Sequence, residues 1–203
     1  MGMTALGKNK RSAKVTRSTK ETKISAELAI DGRGVTAIAT GIPFMDHMLT
    51  LMAAHGFFDL ALDAKGDVEV DEHHTVEDIG IVLGEAFRKA VGDQKKMKRY
   101  GRSAVPMDEA LASVVIDFSN RPFLAYHVNL KRSITGRFDA QSVQEFFRAF
   151  VNKSGTTLHI NVMYGDNTHH IVEAVFKAFG QALDEATMFD DRITEVRSTK
   201  GLL

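Results

Sequence analysis

The sequence predicts an α/β (α+β) fold built twice over, from two similar halves that each carry a small sheet covered on one face by two helices. Three observations predict it. The text His73-His74-Thr75-Val76-Glu77 returns 96 residues further on as His169-His170-Ile171-Val172-Glu173, so the pattern H-H-x-x-E occurs twice. Past each copy the same apolar stripe follows, because Val76, Ile79, Leu83, Ala86, Phe87 and Ala90 answer to Val172, Val175, Phe179, Ala182, Leu183 and Ala186. That is the core face of one amphipathic helix written twice, and Gly84 answers to Gly180 within it. Upstream, Phe44 to Ala54 and Gln141 to Val151 both read as apolar helices closed by a glycine, Gly56 and Gly155, each suited to a helix C-cap.

Taken in order, residues 1–15 mix Gly, Lys, Asn, Ser and Arg with little apolar pattern and are expected to form a disordered leader. The first half spans 16–98. It alternates through Ile24, Ala26, Leu28 and Ile30, turns at Asp31-Gly32-Arg33-Gly34 and resumes at Val35, Ala37 and Ala39, which predicts a β-hairpin. The first helix carries Asp46 and His47, a strand follows Gly56, and the first H-H-x-x-E helix runs to about Val91 before Gly92-Asp93. Asp71 and Asn167, two residues before each first histidine, are N-cap candidates.

The basic run Lys95 to Arg102 is expected to be the linker. The second half, 99–191, opens with another expected hairpin, Ala112 to Phe118 and Phe123 to Leu130, before helix, glycine, strand and motif helix recur. The tail, 192–203, holds Ser198-Thr199-Lys200-Gly201, whose small polar groups and cation suit an anion-binding turn.

Composition bounds the function. Of 203 residues 44% are hydrophobic, enough for a core, and 26 basic residues balance 26 acidic ones, so nothing draws the chain globally to nucleic acid or a membrane. No run reaches a transmembrane length and the N-terminus lacks an apolar signal core, so a cytoplasmic protein is expected. There is no cysteine. Any metal site must therefore use nitrogen and oxygen donors, which suit manganese, iron, zinc or magnesium.

On a helix the glutamate of H-H-x-x-E lies one turn from both histidines, while the adjacent histidines diverge by about 100°. Each motif can thus offer its two imidazoles to two different ions. A single copy also suits capped or hydrogen-bonded histidines; two copies in register point to metal. The candidate ligands are His47, His73, His74, Glu77, Glu145, His169, His170 and Glu173, enough for two octahedral ions with positions open for substrate. Glu145, beside Gln144 and Arg148, also reads as an ordinary helix residue, and His55 as a cap for the carbonyls before Gly56. Lys177 lies one turn beyond Glu173 on the ligand face, within reach of a substrate anion.

Several stretches together resemble the imidazoleglycerol-phosphate dehydratase family of histidine biosynthesis. They are Arg17-Ser18-Thr19-Lys20-Glu21-Thr22, Phe44-Met45-Asp46-His47-Met48-Leu49, Asp71-Glu72 with the first motif and Asp78, Arg99-Tyr100-Gly101, Asn120-Arg121-Pro122, Leu158-His159-Ile160, the second motif with Lys177, and Ser198-Thr199-Lys200-Gly201. The resemblance covers roughly Val15 to Leu203. It implies a lyase that removes water from imidazole glycerol phosphate to give imidazole acetol phosphate, using two manganese(II) ions per active site. It also implies Glu21 as the base, His55 at the substrate, and Arg99, Arg121, Lys177, Ser198, Thr199 and Lys200 around its phosphate. Helices sandwiched between the sheets and a homo-oligomeric 24-mer are implied as well. Two departures stand out: Glu145 where many members carry histidine, and Pro43 in place of a common glycine. A di-metal phosphohydrolase, or a metal-assembled shell protein without activity, remains the alternative to the dehydratase.

Overall fold

The structure, a computed structural model, describes residues 11–130, 134–135 and 138–201. The first half contributes strands β1 (Ser12–Ser18), β2 (Thr22–Ala29), β3 (Thr36–Ala39) and β4 (Asp59–Gly66), with helices α1 (Pro43–His55) and α2 (His73–Val91). The second contributes β5 (Tyr100–Met107), β6 (Ala110–Asp117), β7 (Phe123–His127), the short pair β8 (Ile134–Thr135) and β9 (Phe138–Asp139), α3 (Ser142–Ser154), β10 (Thr157–Tyr164) and α4 (Thr168–Thr187). The duplication expected from the sequence is visible in the topology, since the two large sheets run β1-β2-β4-β3 and β5-β6-β10-β7.

Both expected hairpins are corrected by that order. The true hairpins are β1–β2 and β5–β6, and the strand after each expected turn lies parallel to the central strand on its far side, β3 on β4 and β7 on β10. The cause is local. Asp59, at the start of β4, accepts hydrogen bonds on Oδ1 from the backbone N–H groups of Arg33 at 2.8 Å and Val35 at 3.1 Å. In the second half Thr157, at the start of β10, donates to the Arg121 carbonyl at 2.9 Å. Each loop is thus pulled across the edge of the central strand instead of folding back on the strand before it. Alternation in a sequence marks a strand without naming its partner.

The leader expected over residues 1–15 is shorter on the described side: β1 begins at Ser12 and pairs with β2 from Ser12 opposite Ala29. Residues 1–10 lie outside the described residues. The basic linker is also corrected. Lys98 and Arg99 donate backbone bonds to the carbonyls of Met188 and Ala186 at 2.8 and 2.9 Å, and Met97 bridges to Phe189. Met97 and Arg99 point inward while their lysine neighbours point out, so the segment is stitched along the end of α4.

The four helices fill the space between the sheets, and they pair across the halves: α2 packs on α3 and α1 on α4, while α2 lies on β1 and β2 and α4 on β5 and β6. Every residue of the duplicated stripe is buried. Phenylalanines interlock at the centre, with Phe147 edge-on to Phe179 at 5.0 Å between ring centres and Phe87 to Phe150 at 5.5 Å. The duplicated glycines make the crossings possible. A Cβ on Gly84 would lie 2.5 Å from the Phe150 carbonyl oxygen, and one on Gly180 2.3 Å from that of Met52. Both cross-half contacts therefore obey one rule. Among the described residues no helix is long and apolar enough to cross a membrane.

Candidate active site and metal-ligand clusters

Each motif helix opens with a side chain two residues ahead of its first histidine. Asn167 accepts from the His169 backbone N–H at 2.9 Å as the N-cap of α4, as expected; in α2 the cap position falls to Glu72 instead, and Asp71, one residue further out, accepts from the His73 N–H at 2.9 Å. The adjacent imidazoles then diverge as their spacing requires, with ring planes at 87° for His73 and His74 and 86° for His169 and His170.

The first histidine of the second motif joins a cluster spanning two helices. His169 and Glu173 of α4 meet His47 of α1, and their donor atoms all lie within 4.8 Å of one another. Glu173 is 7% exposed, and its two oxygens are divided: Oε1 meets the Lys177 ammonium at 2.6 Å, while Oε2 faces His169 at 3.3 Å and His47 at 3.8 Å. Burial pushes the Glu173 carboxyl up, yet the Lys177 ammonium and the two imidazoles outweigh it and leave the group below its ordinary range. His55 stands nearby, its pKa lowered by burial and then by Lys177. Two imidazoles and a carboxylate converging on one point form a donor set that fits a divalent ion such as manganese. Among the described residues it is the only group of three or more such side chains that closes to this degree.

The first motif assembles differently. His73 Nε2 lies 3.9 Å from Glu77 on the same face of α2. Glu145, expected to answer to His47, instead accepts two bonds at 2.9 Å from Arg148 on its own helix. Among the described residues it enters no three-member ligand group. The second histidines face away to other carboxylates. His74 Nδ1 lies 3.2 Å from Asp67 and 3.8 Å from Glu21, and the hydrogen bond to Asp67, followed by the Glu21 charge, raises its pKa. His170 Nδ1 bonds Glu109 at 2.7 Å, which raises the histidine and holds the exposed Glu109 carboxyl down at about 2. A carboxylate only accepts, so Nδ1 is the protonated nitrogen in both rings and Nε2 is left to ligate.

Glu21 and Glu109 are counterparts, each the last residue of its hairpin turn, immediately before β2 and β6. Their partners differ. Glu109 Oε1 also accepts the backbone N–H groups of Asp166 and Asn167 at 3.2 and 2.8 Å, whereas the Glu21 carboxylate, 56% exposed, accepts no hydrogen bond among the described residues. Asp67 and Glu109 went unread in the sequence. The misassigned hairpins hid the one signal that could have revealed Glu109, its shared position with Glu21.

The cations expected at a phosphate fall into separate places. Arg99 is 7% exposed, forks onto Asp117 at 2.6 and 3.0 Å, and donates to the Arg197 carbonyl at 2.8 Å, which ties it to the tail. The bond to Asp117 raises its already high pKa. Ser198 accepts on Oγ from the Lys200 N–H at 3.3 Å and on its carbonyl from Gly201 at 3.1 Å, closing a tight turn beneath the exposed Thr199. Arg121 is exposed in the loop before β7. No hydrogen bond or ion pair among the described residues joins Arg99, Arg121 or the tail to either histidine cluster.

Known proteins share this sequence and fold. The family model described as Imidazoleglycerol-phosphate dehydratase matches residues 40–183, the span from before α1 to within α4. The enzyme of that name from Geobacter sulfurreducens is 58% identical over 193 residues, covering 95% of this chain and 99% of its own. That from Trichlorobacter lovleyi is 57% identical over 194 residues, 96% of this chain and all of its own. Among solved structures, imidazoleglycerol-phosphate dehydratase from Staphylococcus aureus superposes with a TM-score of 0.80 at 40% identity, covering 88% of this chain and 99% of its own. IGPD from Pyrococcus furiosus gives 0.82 at 39% identity over 93% of this chain and 100% of its own. Sequence over nearly the whole length and fold agree, and the chain belongs to the imidazoleglycerol-phosphate dehydratase family.

Proposed function

We propose that this protein removes water from imidazole glycerol phosphate to give imidazole acetol phosphate, with Glu21 as the base and two manganese ions held by the two H-H-x-x-E motifs. One observation carries the reading: a carboxylate engaged by no hydrogen bond stands 3.8 Å from the imidazole of a candidate ligand. A base must be near the substrate and still able to take a proton, and a Glu21 carboxylate that stands beside His74 without a hydrogen bond supports that role.

His47, His169 and Glu173 would hold one ion, with His73, His74, Glu77 and His170 as the remaining donors; Glu145 would have to leave Arg148 to join them. Bound metal would supply Lewis acidity to the substrate's imidazole ring, favouring its anionic form and so departure of hydroxide from the adjacent carbon. The chain's own residues do the rest. Glu21 takes the proton from the next carbon, and the enol so formed tautomerises to the ketone. Lys177, already beside Glu173, places its ammonium where it can neutralise substrate charge at the metal face. His55, kept neutral by burial and Lys177, offers a hydrogen bond without adding charge.

The substrate phosphate would be met by Arg121 and the Ser198-Thr199-Lys200 turn, with Arg99 holding that turn in place through the Arg197 carbonyl. Among the described residues no hydrogen bond or ion pair joins these groups to the histidine clusters, which supports a homo-oligomer in which neighbouring copies complete each site; the 24-mer and the cytoplasmic location are part of the same proposal.

The test is turnover after chelation and repletion. Protein stripped of metal, then given manganese and imidazole glycerol phosphate, is expected to form ketone only when metal is restored. Free phosphate without ketone would favour the phosphohydrolase instead. Neither product, with metal bound, would favour a shell without activity.

A further inference from the structure

The turn that carries Glu21 is fastened to the motif helix by a buried carboxylate that the proposed reaction does not use. Asp78 follows Glu77 on α2 and is 7% exposed. Its Oδ1 accepts from Arg17 Nε of β1 at 2.8 Å, and its Oδ2 accepts from the Thr22 hydroxyl at the start of β2. Thr22, 3% exposed, contacts Thr19 hydroxyl to hydroxyl at 3.2 Å, and Thr19 Oγ1 accepts the backbone N–H groups of Glu21 at 3.1 Å and Thr22 at 2.9 Å. An unbroken chain of bonds thus runs from α2 through the turn to the residue that bears the base.

The duplication shows that packing does not require this carboxylate. Ala174 fills the corresponding position of α4 and is fully buried there, so the helix seats on its sheet with a methyl group. Burying a carboxylate in place of that methyl is unfavourable unless every oxygen is paired, as both are here. In the second half the turn is held to its helix by its own glutamate, Glu109, through His170 and two backbone amides. In the first half Asp78 holds the turn, and the glutamate is left without a bond. The two halves solve the same mechanical problem, and only one of them keeps the glutamate free.

We infer that Asp78, Arg17 and Thr22 form a clasp that fixes Glu21 against His74, and that they are positioning residues for the proton transfer. The inference rests on the reading of Glu21 as the base. A loose carboxylate samples many placements, and misplacement by about 1 Å is enough to slow a reaction by roughly 100-fold.

The experiment uses the full-length, manganese-loaded enzyme with Thr22→Val, which removes the hydroxyl at nearly constant volume and keeps a side chain suited to a strand. kcat is expected to fall by roughly 10- to 100-fold, with KM and manganese affinity held near the parent values and Thr22→Ser restoring turnover. Arg17→Met, at a partly exposed site, is expected to repeat the split between kcat and KM should the valine variant fold poorly. Added to Glu21→Gln, Thr22→Val is expected to cost nothing further, because it acts through Glu21. Full kcat in both clasp variants, or an equal loss in the Glu21→Gln background, would overturn the clasp while Glu21→Gln alone stayed inactive. Normal turnover by Glu21→Gln would instead remove the base and the clasp with it.

Discussion

Glu109 accepts a 2.7 Å hydrogen bond from Nδ1 of His170, from a turn that has no sequence proximity to the motif it supports. The bond fixes both the tautomer and the ring plane of His170, so the lone pair is left on Nε2, 3.9 Å from Asp108. Outer partners of this kind typically matter by about 10- to 100-fold in metal affinity. Glu109→Ala is therefore expected to weaken manganese binding by roughly that factor, read by titration of the chelated protein without substrate. Parent-like affinity would show that His170 needs no such support.

Glu21→Gln and His74→Ala should separate base from ligand, although the two side chains are 3.8 Å apart. Glutamine keeps the shape of Glu21 and loses the proton-accepting charge. Its expected kcat loss is about 10²- to 10⁴-fold, with substrate and metal still bound. His74→Ala is expected to lose metal as well, measured as manganese retained after dialysis. Retention at the parent level would remove His74 from the ligand set.

The helices and the candidate ligands they carry stood out in the sequence because both repeat. Metal ligands on a helix need fixed spacing, and the buried stripe behind them needs the same period, so one pattern announced the other in both halves. Strand partners left no such trace. Nothing in the alternation of β3 says that Asp59 will draw its loop across β4, and the same holds for Thr157 and β7. The supporting carboxylates Asp67, Asp78 and Glu109 were invisible for a related reason: each acts on a residue that only the tertiary fold brings near it. Glu145 shows the converse. Its place in the repeat suggested a ligand, but the arginine one turn away claims the carboxylate in the structure.

Arg99 and Arg121 were both expected at the phosphate, yet their surroundings predict different consequences of removal. Arg99→Ala leaves Asp117 partly buried and unpaired and frees the tail from its carbonyl contact. The side chain is not fully desolvated, so a loss of roughly 2–4 kcal/mol is expected, below that of a deeply buried pair. Arg121→Ala removes an exposed side chain and should leave thermal stability unchanged while raising KM for the phosphate substrate by tenfold or more, about 1.4 kcal/mol of binding. Thermal melts beside steady-state kinetics decide the matter. A stable Arg99→Ala protein with a raised KM alone would return Arg99 to direct phosphate contact.

Gly84 and Gly180 offer a test of the duplicated architecture itself, away from the chemistry. A methyl group at Gly180 would press on the Met52 carbonyl at 2.3 Å, and one at Gly84 on the Phe150 carbonyl at 2.5 Å. Backbone cannot move aside as a side chain can, so each helix crossing would have to widen. Alanine favours a helix by about 1 kcal/mol over glycine, and overpacking typically costs about 1–3 kcal/mol or more. The net effect should be destabilising at both sites, lowering Tm by about 2–4 °C for each kcal/mol lost. If Gly84→Ala and Gly180→Ala melt no lower than the parent protein, the close crossings are not what those two glycines provide.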